Sequence, residues 1–230
     1  MIKVNMIYDS LLDSGGLNTI IYNDPYAKLC LVSSIILELQ EERRKKAVYI
    51  DLDTVFTAYV KAGLIPPLKI KKMEPSIYAS DILRIYIPDE MIQRYILDSI
   101  KYLDDASIVI FDSITSFYSL FYNELESDKS VTREMGRINQ FLLILLMLLL
   151  KNTSFSKIPL LLTSMIRYKR KEGWIGTPTG NRFLRSRSSV NLYVEMENKR
   201  DLSINVLSHP TITPQKIIFR DKGIRISRDS

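Results

Sequence analysis

The chain has 230 residues, 46% apolar and 25% charged, a balance that fits one globular domain (residues 1–230) with a sizeable core and excludes disorder. Cys30 and His209 are each alone, which excludes a disulfide framework, a Cys- or His-rich zinc site and a Ser-His-Asp hydrolase. The net charge of +6 sits in one place: seven basic residues between Arg167 and Arg187 (Arg167, Lys169, Arg170, Lys171, Arg182, Arg185, Arg187) meet one acid, Glu172, and the rest of the chain is balanced.

In chain order, Ile20–Tyr22 is a short apolar strand candidate, followed by Asn-Asp-Pro as a turn or helix start. Lys28 to Glu42 then carries Leu29, Val32, Ile35, Ile36 and Leu39 at helical spacing. Ala47–Leu52 reads as a strand ending in an acid, and Val55–Ala62 as a helix stopped by Gly63 and Pro66-Pro67. Ile82–Ile87 predicts a strand, and Pro88-Asp89-Glu90 opens a helix to about Leu103. Ser107–Phe111 is a continuous apolar run, as expected of a buried parallel strand. A helix is expected from Val131 to Leu150, then a buried strand at Pro159–Thr163. Short strands at Val190–Met196, Leu202–Leu207, Lys216–Phe219 and Gly223–Ile226 close the chain. The alternation predicts an α/β domain with a mainly parallel sheet, flanked by helices, and antiparallel C-terminal strands.

The ten-residue run Phe141 to Leu150 is apolar on every helical face. It falls short of the roughly 20 residues of a membrane span, so it is expected to be a buried core helix or one that packs against another subunit, the former being preferred because a central sheet needs such helices on both faces. With no signal-like opening segment, a cytoplasmic protein without membrane association is expected.

In such sheets, ligands bind beyond the carboxyl ends of the strands. Asp51, Asp53 and Asp112 stand at or just past strand ends. Each taken alone reads as a cap of a turn or helix; together, followed by a basic segment, they point to a site.

The ordered motifs resemble a known family. Ser-Ile-Val-Ile-Phe-Asp112-Ser-Ile-Thr-Ser-Phe resembles the Walker B strand of RecA-type ATPases, especially archaeal RadA and its paralogues. Val48-Tyr-Ile-Asp51-Leu-Asp53-Thr-Val-Phe56 resembles the strand bearing their catalytic acid, with Asp53 where Glu is usual. Ile158-Pro-Leu-Leu-Leu-Thr-Ser164-Met165 resembles the strand of their polar sensor pair, and Gly173 to Ser189 falls where their second DNA-binding loop lies. The ending, His209-Pro and Lys216 to Ile226, resembles their closing strands, and Gly15-Gly16 the opening of their ATPase core. The resemblance implies a RecA-like core, here without the family's N-terminal helical domain.

The departures are physical. A P-loop needs two glycines, a lysine and a hydroxyl residue, so that backbone and ammonium wrap the phosphates and the hydroxyl holds magnesium. The stretch here is Tyr22-Asn23-Asp24-Pro25-Tyr26-Ala27-Lys28-Leu29, in which only Lys28 survives. Asp24 puts a negative charge where phosphates would lie, Pro25 removes an N–H, and Leu29 cannot bind a metal. Lys28 is read either as a vestigial phosphate contact or as an ordinary first-turn lysine facing solvent; Asp53 and Asp112 are vestigial catalytic candidates. No cofactor is expected; ATP and magnesium are the only candidates, and no other metal site is expected.

Between Arg167 and Arg187 three glycines and Pro178 predict a mobile loop, in which Tyr168, Trp174 and Phe183 interleave with the charges. Basic groups neutralise phosphates and aromatic faces stack bases. Arg167, Lys169, Arg170, Lys171, Trp174, Arg182, Phe183, Arg185 and Arg187 are therefore the expected single-stranded DNA contacts. Glu124 to Ser130 stands at the family's first DNA loop but is acidic, and Lys69, Lys71 and Lys72 read as solvated surface. The expected function is a non-catalytic or weakly catalytic paralogue acting with a RadA-type recombinase or another paralogue in homologous recombination and DNA repair, as a homo- or hetero-oligomer. Two alternatives are a DNA-dependent ATPase with a divergent P-loop, and a structural subunit that keeps the fold without binding DNA.

Overall fold

The computed structural model describes residues 2–3, 7–42, 45–88, 92–122, 128–170, 174–179 and 186–220, with side chains except at 2–3, 122, 128–134, 168–170 and 174–178. The elements run β1 (Ile2–Lys3), α1 (Tyr8–Leu11), β2 (Leu17–Tyr22), α2 (Pro25–Glu41), β3 (Lys46–Asp51), α3 (Val55–Lys61), β4 (Lys71–Glu74), β5 (Ile77–Ala79) and β6 (Leu83–Tyr86). They continue with α4 (Ile92–Ile100), β7 (Ala106–Asp112), α5 (Ile114–Tyr122), α6 (Asp128–Phe155), β8 (Leu160–Arg170), β9 (Trp174–Pro178), β10 (Val190–Met196), β11 (Asp201–Ser208) and β12 (Gln215–Arg220).

Continuous apolar runs demand cover on both faces of a sheet, and the fold supplies it. The strands lie in the order β1-β12-β11-β10-β2-β8-β7-β3-β6-β5-β4. From β10 through β2, β8, β7 and β3 to β6 every pairing is parallel. Antiparallel strands extend both ends: β10–β11–β12 at one and β6–β5–β4 at the other. The expected α/β architecture, with its mainly parallel sheet and antiparallel C-terminal strands, is observed; the strand read at Gly223–Ile226 lies outside the described residues.

Strand alternation sorts the core into two layers. Ile20, Tyr49, Ile110 and Leu161 face one cluster with α1, α2 and α3. Leu17, Ile50, Phe111 and Leu162 face the other with α4, α5 and α6. Helix α2 starts sharply because the Asp24 carboxylate accepts the Tyr26 N–H (2.9 Å) and Pro25 occupies the first turn. Every residue from Ala27 to Leu39 is buried, with the sheet on one side and α1 docked against the helix through Glu38. Even Glu38 is buried; its carboxylate accepts the N–H groups of Ile7 and Tyr8 at the start of α1, at 2.8 and 2.9 Å.

Two sequence expectations need correction. Helix α6 is not buried all round: Leu142, Leu145, Leu146 and Leu149 pack on the sheet, while Leu143, Ile144 and Met147 are exposed. It is the outer layer on its face, and one contact surface buries only one stripe of a helix. Its 21-residue stretch Met135–Phe155 has the length and composition of a membrane span, yet its buried leucines belong to the core. The second correction concerns the segment after Thr163. Strand β8 does not stop there but runs on to Arg170, and β9 returns antiparallel to it, with Ile166 opposite Pro178 and Arg170 opposite Trp174. The expected loop is, for this part, a β-ribbon: Ile166, Tyr168 and Ile175 are good strand formers, and the three glycines did not outweigh them.

Candidate functional site: an acid–lysine cluster below a basic ribbon

Register and alternation build the site. Asp51 on β3 pairs with Asp112 on β7, and Phe111 pairs with Leu162 on β8. Asp51, Asp112 and Thr163 therefore form one row across three neighbouring strands, where β3 and β7 end and β8 runs on, on the α2 face. Helix α2 begins directly after β2, the strand beside β8, so its first turn overhangs that row and delivers Lys28.

The Lys28 ammonium lies 2.6 Å from Asp112 Oδ2 and 3.5 Å from Asp53 Oδ2. Lys28 is 1% exposed and Asp112 is buried completely, which excludes the solvent-facing reading of Lys28. Asp112 does not act as a cap either. Its Oδ2 also accepts the Tyr49 hydroxyl at 2.5 Å, and its Oδ1 accepts the Thr163 hydroxyl. The cap of α5 is Ser113 instead, whose Oγ accepts the Ser116 N–H at 3.0 Å. For the other two acids the capping reading holds. Asp51 Oδ2 accepts the Thr57 N–H (2.8 Å) and hydroxyl (2.5 Å), and Asp53 Oδ1 accepts the Val55 N–H (3.0 Å).

Burial opposes the charge on Lys28, but Asp112, Asp53 and the nearby Tyr22 outweigh it and hold the ammonium well above its ordinary range. Burial, reinforced by Asp112, pushes the Tyr49 phenol up. Burial lifts Tyr22 as well, with Lys28 working against it. Asp51 is pushed up to about 7, first by burial and then by Asp112, against the Thr57 hydrogen bonds. Its Oδ1 has no hydrogen-bond partner among the described residues. Asp51 is thus pushed toward its protonated form, while Lys28 pairs with Asp112 and the partly exposed Asp53.

One oxygen each of Asp51, Asp53 and Asp112 lies within 4.8 Å of the others, which raises the question of magnesium and a nucleotide. The donor pattern does not fit them. Both Asp112 oxygens are taken by lysine and hydroxyl donors, and the ammonium already supplies the positive charge. At the start of α2, Pro25 has no N–H and Asp24 takes that of Tyr26, so a phosphate would meet a carboxylate there. Leu29, where a metal-binding hydroxyl would stand, is buried in the apolar core.

The sequence motifs thus brought Lys28, Asp53 and Asp112 to one place but missed Tyr49 and Thr163. Their one available signal was a hydroxyl residue in an otherwise apolar strand. Of the basic segment, Arg167 is exposed near the end of β8, where its charge works against the upward push of burial on the Tyr118 phenol. Arg187 is exposed before β10. Lys169 and Arg170 lie on β8 and Trp174 on β9, in the ribbon beyond the sheet. Lys171, Arg182, Phe183 and Arg185 lie outside the described residues, as does most of the acidic segment from Glu124.

Fold and site together define an α/β protein with a largely buried acid–lysine cluster at the carboxyl edge of its parallel strands and a basic ribbon beside it. A scan against models of protein families found no match, and a search of curated proteins found none either.

Proposed function

We propose that this chain is a RadA-paralogue-like protein with a RecA-like core, non-catalytic or only weakly catalytic, that binds single-stranded DNA through the ribbon and modulates homologous recombination and repair in the cytoplasm with a RadA-type recombinase or a sister paralogue. The observation that carries the non-catalytic half is the buried Lys28–Asp112 pair at 2.6 Å. The lysine that would bind phosphate is consumed by the chain's own acids, and α2 is capped by its own Asp24. The DNA half is supported by the charge, all of whose excess falls between Arg167 and Arg187, and by the β8–β9 ribbon, which carries Arg167, Lys169 and Arg170 and whose backbone pairs Arg170 with Trp174. Stacking plus phosphate neutralisation is the usual means of holding single strands. The exposed stripe of Leu143, Ile144 and Met147 on α6 supports a protein partner.

A second reading, a DNA-dependent ATPase with a divergent phosphate site, draws on the convergence of Lys28, Asp53 and Asp112. Two assays separate the readings. An oligonucleotide-binding assay is expected to show binding by the wild type and weaker binding by Trp174→Ala. A hydrolysis assay with single-stranded DNA present is expected to show no turnover. Turnover abolished by Lys28→Ala would establish the second reading in place of the first.

A further inference from the structure

A two-stranded ribbon standing clear of a sheet is marginal in water by itself, so its root must fix its direction. Pairing of β7 with β8 ends at Phe111 and Leu162, and pairing of β9 with β8 begins only at Ile166, which leaves a short gap on that side of β8. The gap is closed by a side chain: Thr115 Oγ1, in the first turn of α5, accepts the Met165 N–H at 3.0 Å. On the same root, the Ser164 hydroxyl donates to the Thr179 carbonyl at 2.7 Å, and the Thr179 N–H donates to the Met165 carbonyl at 3.2 Å. The two legs of the ribbon are thereby tied to each other and to α5. Helix α5 starts two residues after Asp112, and Thr163, just before the tied residues, donates to that same Asp112.

We propose that Thr115, Ser164 and Thr179 form a clamp that holds the β8–β9 ribbon in its binding orientation, with Thr115 a positioning residue for the nucleic acid. This rests on the single-stranded DNA reading above. Thr115 contacts no phosphate itself; it sets where the basic residues of the ribbon stand relative to Arg187 and the sheet edge.

The test compares wild type, Thr115→Val, which keeps the shape and loses the acceptor, and Thr115→Ser, which keeps the acceptor. Each is titrated against a labelled oligo-dT over a salt series, with amide exchange of Met165 followed in parallel. One lost hydrogen bond at the root is expected to lower the affinity of Thr115→Val about fivefold and to speed Met165 exchange. The salt slope should not change, because the same basic residues still meet phosphates, and Thr115→Ser should restore the affinity. Wild-type affinity in Thr115→Val overturns the clamp. So does a shallower salt slope, which would make Thr115 a contact, or a Thr115→Ser variant as weak as Thr115→Val, which would make the effect a loss of fold. Failure of the wild type to bind in low salt overturns the DNA reading itself, and the clamp with it.

Discussion

The acid–lysine cluster and the basic ribbon stand at the same edge of one sheet, yet they treat charge in opposite ways. In the cluster, Lys28 is sealed from water and matched by Asp112 at 2.6 Å and Asp53 at 3.5 Å. In the segment from Arg167 to Arg187, seven basic residues meet a single acid, and Arg167 and Arg187 are exposed. A charge neutralised inside the fold cannot serve a ligand without breaking the fold, whereas an uncompensated charge at the surface attracts counter-ions that a phosphate chain can replace. Under the proposed function, the difference places stability in one region and recognition in the other.

The largest effect is expected in the cluster. Lys28→Met leaves Asp112 buried without its cation and should cost about 3–5 kcal/mol in urea unfolding. Adding Asp112→Leu should recover much of that loss, because the two changes act on one interaction. A cost below about 1 kcal/mol, additive with Asp112→Leu, would break the comparison on its structural side. On the ribbon, Trp174→Ala should cost about 1–3 kcal/mol of single-strand binding at an unchanged salt slope. Removing both Arg167 and Arg187 by substitution with Gln should make the slope shallower by about 1.4. If those substitutions lower stability and leave the slope untouched, the basic segment is structural.

A smaller, pH-dependent effect belongs to Asp51. In the fold it keeps its proton up to about pH 7, whereas in an unfolded chain it ionises near pH 4. Between those values the folded state binds more protons, so this residue's contribution to stability is fully present below about pH 4 and falls as the pH rises to about 7. Asp51→Asn removes that loss and should gain stability relative to wild type between pH 5 and pH 8, measured by urea unfolding at both. A difference that is the same at both, or reversed, would show that Asp51 is ionised throughout. The smallest effect concerns the turn that aims Asp53. Thr54 has φ of 61°, costly for a β-branched residue, and Thr54→Gly should gain about 1 kcal/mol. No gain would mean that the turn is not strained.

Much of the fold was legible because parallel strands buried on both faces are simple to see. Ser107–Phe111 and Ala47–Leu52 announced β7 and β3, and the bounds read for Val190–Met196 are those of β10. The short strands β4 and β5 were not legible: β4 is exposed at every position and carries no apolar pattern. Helix α5 was not read from the sequence, in which only Ser113, whose hydroxyl accepts the Ser116 N–H, marks its start. Of the site, Lys28, Asp53 and Asp112 could be named from ordered motifs. Tyr49 and Thr163 could not, since their bonds to Asp112 depend on the register of three separate strands. The burial of Lys28 escaped for a related reason: helical spacing marks one apolar face of α2, while tertiary packing covers the whole helix. The ribbon was read as a loop because glycines were weighed above the strand formers between them.

The most direct test of the contrast is fluorescence anisotropy of a labelled single-stranded oligonucleotide over a salt series, with and without ATP and magnesium. If the ribbon meets about five phosphates and the cluster is closed to nucleotide, log K falls with log salt at a slope near −3.5, and ATP leaves the curve unchanged. Absence of binding in low salt, or binding that ATP switches on or off, would contradict it.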